Sequence, residues 1–282
     1  MKALLCKEFG EPDDLVLEDV AEPQIQKGMV KIQVHSVGLN FPDTLIIAGK
    51  YQFKPPFPFS PGMESSGIVS EVGEGVSSIK VGDRVMANHG VGGFAEYVLA
   101  PEDNTFVIPD SMPFDQAAGF PVTYGTTYHG LVDRGDLKKG EVLLVHGAAG
   151  GVGLNAVELG KALGATVIGT VGSDEKMDIV RQYGADHVIN YSTESIKDRV
   201  KELTDGKGAD VIYDPVGGDA FDQSMRCINW EGRLLVIGFA SGRIAQLPTN
   251  LTLLKGCSVV GVFWGEFARR TPAKNRANFQ TM

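Results

Sequence analysis

Short apolar runs separated by turn signals fill the first 120 residues of the chain. The strand-like runs are residues 30–37, 67–72, 84–87 and 94–100. Residues 51–61 carry four prolines and are predicted to form a loop, because proline fits neither a central strand nor a helix interior. This pattern predicts an all-β, barrel-like domain over residues 1–122.

Apolar strands and helical runs alternate after residue 122. Strands are predicted at residues 142–145, 166–170, 187–190, 210–213, 234–239 and 258–263. Helices are predicted at residues 152–163, 174–183, 193–203 and 220–228. Continuous apolar strands joined by helices are typical of a parallel sheet covered on both faces. We therefore predict an α/β domain over residues 123–264, with a doubly wound, six-stranded parallel Rossmann sheet.

The composition fits two globular domains and excludes several other classes. The chain has 282 residues, 43% of them hydrophobic, and a net charge of −9. An acidic chain without a basic face is not expected to bind nucleic acid. No apolar run approaches the ~20 residues of a membrane span, so no membrane partner is expected. The three cysteines form no CxxC pair and the start lacks a signal sequence, so we expect a cytoplasmic protein.

A glycine-rich turn follows the first strand of the second domain. Residues 148–153 read AAGGVG, with Ala148 where a dinucleotide fingerprint usually has its first glycine. Bare backbone at a helix N-terminus can approach a pyrophosphate, although such turns also serve simple packing. Gly153 is expected to let the helix pack tightly on the strand. The candidate phosphate-binding residues are Ala149, Gly150, Gly151, Val152 and Gly153.

The tip of the second strand indicates which nucleotide is bound. NAD-binding proteins usually place an acid there for the ribose hydroxyls, but this chain has Gly172 and Ser173. These residues leave room for a 2′-phosphate, with charge from Lys176 and a hydroxyl from Tyr191. The sequence therefore favours NADPH over NADH. Asp174 is either a helix N-cap or a remaining ribose ligand.

Several motifs in a fixed order identify a family. They are residues 38–43 (GLNFPD), 61–64 (PGME), 81–85 (VGDRV), 148–153 (AAGGVG), 184–186 (GAD) and 214–218 (DPVGG). With them the sequence resembles the zinc-free medium-chain dehydrogenases/reductases of the quinone oxidoreductase, or zeta-crystallin-like, family over essentially its whole length. The resemblance implies a GroES-like β-barrel catalytic domain, a Rossmann domain and a homodimer formed through residues 258–263.

The positions that hold zinc in the larger alcohol dehydrogenases are occupied differently here. The resemblance aligns them with Asn40, Met63 and approximately Thr123, which do not make a zinc site. The five histidines show no ligand spacing, so no metal is predicted. Without a Lewis acid, quinones and α,β-unsaturated carbonyls are better acceptors than simple ketones, because conjugation spreads the charge that hydride delivers.

The resemblance also implies the residues of the acceptor site. Asn40 and Tyr51 are candidate hydrogen-bond donors to the developing oxyanion, with Asp43 and Glu64 supporting them. Leu45 replaces a tyrosine of some relatives, which implies a more apolar pocket. Asn40 could equally be a turn former. Tyr51 could equally be a loop aromatic, packed on the neighbouring phenylalanines 53 and 57.

Further cofactor contacts follow from the same resemblance. Thr127 is implied to lie beside the nicotinamide. The backbone of Gly217, Gly238, Phe239, Val262 and Phe263 is implied to line the cofactor. Phe239, Phe263 and Trp264 could otherwise be plain core aromatics.

We therefore expect an NADPH-dependent oxidoreductase that transfers hydride to quinones or related conjugated carbonyls. An enone or acryloyl-thioester C=C reductase is the alternative within the same chemistry. An NADPH-binding protein with little turnover is the alternative of another class. Residues 265–282 are expected to begin a return to the first domain, which the family continues further, so that this domain would be incomplete and less stable than in a full-length relative.

Overall fold

A computed structural model describes residues 1–282. The chain divides into two compact units, one of residues 1–122 with 268–282 and one of residues 123–267. No helix in either unit is both long and apolar enough to span a membrane.

The first unit is built on a five-stranded antiparallel sheet. The strands of the unit in chain order are β1 (Lys2–Leu5), β2 (Val16–Asp19), β3 (Met29–Gly38), β4 (Glu64–Val72), β5 (Arg84–Asn88), β6 (Tyr97–Pro101) and β7 (Thr105–Val107). The sheet has the order β6-β3-β4-β5-β7, while β1 and β2 form a separate antiparallel pair. Val30, Ile32 and Val85, at 0% exposure, form its core. The predicted GroES-like fold is confirmed.

Helices in this unit correct the expectation of an all-β domain. Helix α1 (Phe41–Ile47) follows β3, and α2 (Phe114–Ala118) ends two residues before the next helix begins at Phe120. The predicted strand at 94–100 begins only at Tyr97: Phe94 and Glu96 hydrogen bond with β1, although the Glu96 oxygen also accepts from the backbone N–H of Val34 in β3.

The second unit is a six-stranded parallel sheet between helices. Its strands are β8 (Val142–Val145), β9 (Thr166–Val171), β10 (His187–Asn190), β11 (Ala209–Asp214), β12 (Ile228–Val236) and β13 (Ser258–Gly261). The helices are α3 (Phe120–Tyr128), which starts in the first unit, α4 (Gly151–Ala162), α5 (Met177–Gln182), α6 (Ile196–Leu203), α7 (Gly218–Cys227) and α8 (Thr249–Lys255). The order β10-β9-β8-β11-β12-β13 reverses between β8 and β11, as in doubly wound nucleotide-binding sheets. The fold class predicted from the strand and helix pattern is confirmed.

Alternate residues of the central strands face two different cores. Leu143 and Val145 belong to one buried cluster, while Leu144 belongs to the other. Both faces of the sheet are therefore covered, which explains the continuous apolar strands. The predicted strands 234–239 and 258–263 are too long at their carboxyl ends, since β12 stops at residue 236 and β13 at 261.

Two helices close the chain. Helix α9 (Trp264–Arg270) leaves the second unit, and α10 (Pro272–Thr281) packs on the first, where Phe279 stacks on Phe106 with ring centroids 4.2 Å apart. Residues 265–282, expected to begin a return to the first domain, lie almost entirely in these two helices.

Candidate functional site

The turn between β8 and α4 is a backbone cradle at the start of a helix. Gly150 is the N-cap of α4, and both Gly150 and Gly151 are exposed. A Cβ atom on Gly153 would lie 2.2 Å from the carbonyl oxygen of Gly147, so any side chain there would push the turn open. The free N–H groups of the first helical turn favour an anion at this point, and the cradle fits a pyrophosphate.

Gly153 packs differently from our expectation. It lies against the turn itself, whereas Gly160 is the residue that brings α4 close to the strand: a Cβ there would be 2.5 Å from Cδ2 of Leu143. Ala149 and Val152 are half-buried and pack against the core below the turn. Sequence reasoning missed Gly160 because a single glycine inside a helix carries no local signal of what it touches.

The tip of β9 brings together the residues predicted to select the nucleotide. The Tyr191 hydroxyl lies 2.7 Å from the position of a Cβ on Gly172, and Ser173 precedes the short 3-10 turn of residues 174–176. Lys176 is exposed in that turn. Asp174 is not the N-cap, because Ser173 holds that position; an oxygen of Asp174 accepts a hydrogen bond of 2.7 Å from Asn190.

The segment after β11 forms a second turn with bare backbone. The Asp214 carboxylate, 2% exposed, accepts hydrogen bonds from the backbone nitrogens of residues 216 and 217. Gly217 has φ of +68°, and a Cβ there would be 3.4 Å from the Phe239 ring and 3.7 Å from the oxygen of Gly238. The structure thus groups Gly217, Gly238 and Phe239. From the sequence, Asp214 was noted only as the first residue of the 214–218 motif and not as a site residue, although its place at the end of a strand before two glycines was a usable signal.

The remaining predicted cofactor residues have different environments. Phe239 and Phe263 are 44% and 51% exposed, so their interpretation as core aromatics is wrong; Trp264, at 6%, is a core residue. Val262 is buried in the core of this unit. Thr127 is fully buried, and its hydroxyl lies 3.0 Å from that of Tyr213.

Asn40 and two acidic side chains form a buried cluster in the first unit. The Asn40 amide Nδ2 donates to Oε1 of Glu64 at 2.7 Å, and its backbone N–H donates to Oδ2 of Asp43 at 2.9 Å. The second oxygen of Glu64 accepts from the backbone N–H of Val122 at 2.7 Å. Asn40 is also the N-cap of α1, so its role as a turn former and its place beside these acids coexist.

Both acids are nearly inaccessible, and this raises their pKa values. Glu64 is 1% and Asp43 3% exposed. Burial raises the pKa of Glu64 to about 7, with the Asp43 charge adding to the effect. Burial raises the pKa of Asp43 to about 6, against the backbone N–H groups that stabilise its charge. Oδ1 of Asp43 is buried without a hydrogen-bond partner.

Tyr51 lies at the edge of this cluster. It is half-buried against an apolar group that includes Cys6, Ile46 and Phe59. Burial, and secondarily the Asp43 charge, raises the pKa of its phenol, so the hydroxyl remains a proton donor at neutral pH. The ring of Tyr51 does pack in an apolar environment, as the loop-aromatic alternative predicts. Its neighbours are the residues of this apolar group, however, and the Phe57 ring stacks on Phe59.

The residues aligned with zinc ligands of larger relatives have other neighbours. Met63 packs against the apolar group beside Tyr51. The Thr123 hydroxyl accepts a hydrogen bond of 2.7 Å from Asn155. No three His, Cys, Asp or Glu side chains converge anywhere in the structure.

Comparisons with known proteins place these features in one family. A model described as alcohol dehydrogenase GroES-like domain matches residues 26–110, and one described as zinc-binding dehydrogenase matches residues 151–278. The chain is 46% identical over 274 residues to a quinone oxidoreductase-like protein 2 homolog of Nematostella vectensis, covering 96% of this chain and 74% of the relative.

Solved structures agree with the sequence comparisons. The crystal structure of Escherichia coli quinone oxidoreductase complexed with NADPH has a TM-score of 0.89 at 32% identity, over 99% of this chain and 86% of that chain. The CurK enoyl reductase has the same TM-score at 26% identity, over 99% of this chain and 86% of that chain.

Proposed function

Because the chain belongs to the quinone oxidoreductase family of medium-chain dehydrogenases/reductases, we propose that it is an NADPH-dependent oxidoreductase that reduces quinones or related conjugated carbonyls. The observation that carries this proposal is the backbone cradle of residues 147–153. At the start of helix α4, Gly153 has no side chain, and a Cβ there would lie only 2.2 Å from the carbonyl oxygen of Gly147. The backbone of the turn can therefore pack tightly at the N-terminus of the helix. Such a cradle suits a dinucleotide pyrophosphate.

NADPH is the proposed cofactor rather than NADH. At the strand tip the Tyr191 hydroxyl lies next to Gly172, Ser173 precedes the 3-10 turn, and the exposed Lys176 in that turn would supply positive charge for a 2′-phosphate. Asp174 is held by Asn190. The E. coli quinone oxidoreductase, a structural relative, was solved with NADPH bound.

NADPH, when bound, supplies the hydride. The Asn40 amide has a second N–H beyond the one given to Glu64, and we assign it to the acceptor's carbonyl oxygen. The Tyr51 hydroxyl is a second candidate donor to that oxygen. Two neutral hydrogen bonds suffice for a conjugated acceptor, whose π-system spreads the incoming charge. Reduction of an enone or acryloyl thioester uses the same residues, and the likeness to an enoyl reductase supports this alternative.

We also propose that the protein forms a homodimer through strand β13. This strand is at the edge of the sheet, pairing only with β12. Large apolar side chains near it are exposed, with Trp230 at 65%, Leu253 at 81% and Leu254 at 68%. An uncovered sheet edge beside such a patch is typical of an interface between copies.

The test combines turnover with binding. NADPH oxidation is followed by absorbance with a naphthoquinone, a medium-chain enone and an acryloyl thioester, while calorimetry measures the affinity for NADPH and NADH. We expect oxidation with the quinone and tighter binding of NADPH. Oxidation only with the enone or thioester would favour the C=C reductase. Tight NADPH binding without oxidation of any acceptor would instead support a protein that binds the cofactor with little turnover.

A further inference from the structure

Glu64 holds two hydrogen-bond donors at once, in a place that solvent does not reach. We propose that Glu64 is a positioning residue of the acceptor site, whose ionised carboxylate holds the Asn40 amide in one orientation. This inference rests on the proposed function for its catalytic consequence. Its structural part, the dependence of Asn40 on the Glu64 charge, can be tested without turnover.

The sheet register builds this contact. Strand β3 pairs with β4 so that Gly38 lies opposite Glu64, and the chain then turns to place Asn40 over the carboxylate. A Cβ on Gly38 would lie 2.4 Å from Oε1 of Glu64, so only glycine leaves room for the carboxylate in this position. From the other side Val122 donates its backbone N–H to Oε2. The carboxylate is therefore fixed at both oxygens.

The number of acceptors on Glu64 decides what Asn40 does. An ionised carboxylate has an acceptor oxygen for each of the two donors. A neutral carboxyl keeps its carbonyl oxygen as a strong acceptor, while its other oxygen becomes an O–H donor that accepts only weakly, so one of the two N–H groups loses its strong partner. The backbone N–H of Val122 cannot turn, because it belongs to the first turn of α3. The Asn40 amide can turn over, which exchanges its oxygen and nitrogen and moves both N–H groups away from their former position.

The surroundings of Glu64 place this change near neutral pH. The charge facing it from α1 is that of Asp43, and β5 contributes the neutral amide of Asn88 as its paired residue. His89, next along the chain, is uncharged at neutral pH, because lost hydration lowers its pKa to about 4. Helix α2 contributes a backbone carbonyl, that of Ala118, to the neighbourhood of Gly38. With burial raising the pKa of Glu64 to about 7, the carboxylate is ionised above this pH and neutral below it.

The substitution Glu64→Gln imitates the neutral state at every pH, because glutamine also offers one acceptor and one donor group. We expect kcat of the wild type to fall as the pH drops through about 7. In E64Q, kcat should lack this step and stay roughly 10- to 100-fold lower above it, the usual effect of a misplaced polar group. The affinity for NADPH should stay unchanged. In an N40A background, E64Q should change kcat no further, because its effect acts through Asn40.

The side-chain amide of Asn40 gives a readout that needs no turnover. Its NMR signals, assigned by their absence in N40A, should shift with pH through about 7 in the wild type and not in E64Q. Glu71→Gln, on the same strand but half-exposed, is the matched control and should leave the titration and kcat unchanged. If E64Q fails to fold, two measurements still test the proposal: the pH titration of the Asn40 signals in the wild type, and whether N40A loses the pH step in kcat.

The outcomes separate the two proposals. The positioning role is overturned if the Asn40 amide signals of the wild type do not shift with pH. It is also overturned if these signals still shift near pH 7 in E64Q. Equal losses of kcat for E64Q in the wild-type and N40A backgrounds overturn it as well. A wild type that shows the titration but reduces none of the acceptors supports the contact and refutes the proposed function alone.

Discussion

Glu64→Gln should change how the stability of the protein depends on pH. The pKa of this carboxyl rises from 4.5 to about 7 on folding, so the folded state binds more protons than the unfolded state between these values. The contribution of Glu64 to stability is therefore present below about pH 4.5 and is lost as the pH rises through about 7. At about 1.36 kcal/mol per pKa unit, the change amounts to roughly 3 kcal/mol.

Glutamine does not titrate, so the comparison isolates this contribution. Asp43 and His89 also titrate, because burial raises the pKa of Asp43 to about 6 and lowers that of His89 to about 4. Both residues are present in the wild type and in E64Q, so their contributions largely cancel in the difference between the two proteins. Relative to the wild type, E64Q should gain roughly 2.5 kcal/mol in free energy of unfolding between about pH 5 and about pH 8.

The assay is urea unfolding followed by circular dichroism at both pH values. Glu71→Gln serves as the control for loss of a carboxylate on the same strand, where the partner Lys31 keeps a second acid, Glu22. A difference in unfolding free energy between E64Q and wild type that is the same at both pH values would refute the assignment of the raised pKa to Glu64.

Four further predictions concern the proposed cofactor, acceptor and dimer sites. Gly153→Ala, which would place a Cβ 2.2 Å from a backbone oxygen, should weaken NADPH binding at least roughly tenfold by calorimetry. Lys176→Met should weaken NADPH binding roughly tenfold and leave NADH unchanged; equal losses for both would remove the 2′-phosphate assignment. Tyr51→Phe should lower kcat roughly tenfold with unchanged NADPH affinity, and an unchanged kcat would remove this hydroxyl from the mechanism. Leu253→Asp should shift the protein to monomers in sedimentation experiments, since it would bury a charge in the proposed interface.

Local patterns located the nucleotide-binding sheet well. The bounds predicted for β8 and β10 agree with the structure at both ends, because polar residues mark these ends: Glu141 and His146 flank β8, and β10 begins with His187 and ends with Asn190. The bounds predicted for strand β12 were wrong at its start: it begins at Ile228 and includes the polar residues Asn229, Glu231 and Arg233, which an apolar run does not reveal. Gly238 and Phe239 follow the strand rather than belong to it.

The residues at the start of helix α1 predict a helix as well as a turn. Asn40 was recognised as a turn former, but Pro42 and Asp43 behind it complete the start of a helix, with Asp43 accepting from the Asn40 backbone. An N-cap residue followed three positions later by an acid is a helix start. The seven residues of α1 make only about two turns, which is too short to show a helical period on its own.

The contact between Asn40 and Glu64 could not be predicted from either segment. It joins residues 24 positions apart, and it depends on a strand register with two irregularities along β3. A one-residue slip would turn Glu64 to the other face of the sheet. The glycine at position 38 becomes understandable only when this register is known, since its φ is not unusual and the reason for it is the nearby carboxylate.

The burial of two acids at this place argues that the cluster serves chemistry rather than stability. Glu64 and Asp43 both have raised pKa values, so keeping them ionised at neutral pH weakens the fold. A neutral side chain would avoid that loss if the cluster had only to fill space. A carboxylate is required where two N–H groups must both be held, and one of these belongs to the amide proposed to contact the acceptor. Raised pKa values that are concentrated around one polar side chain are common at active sites.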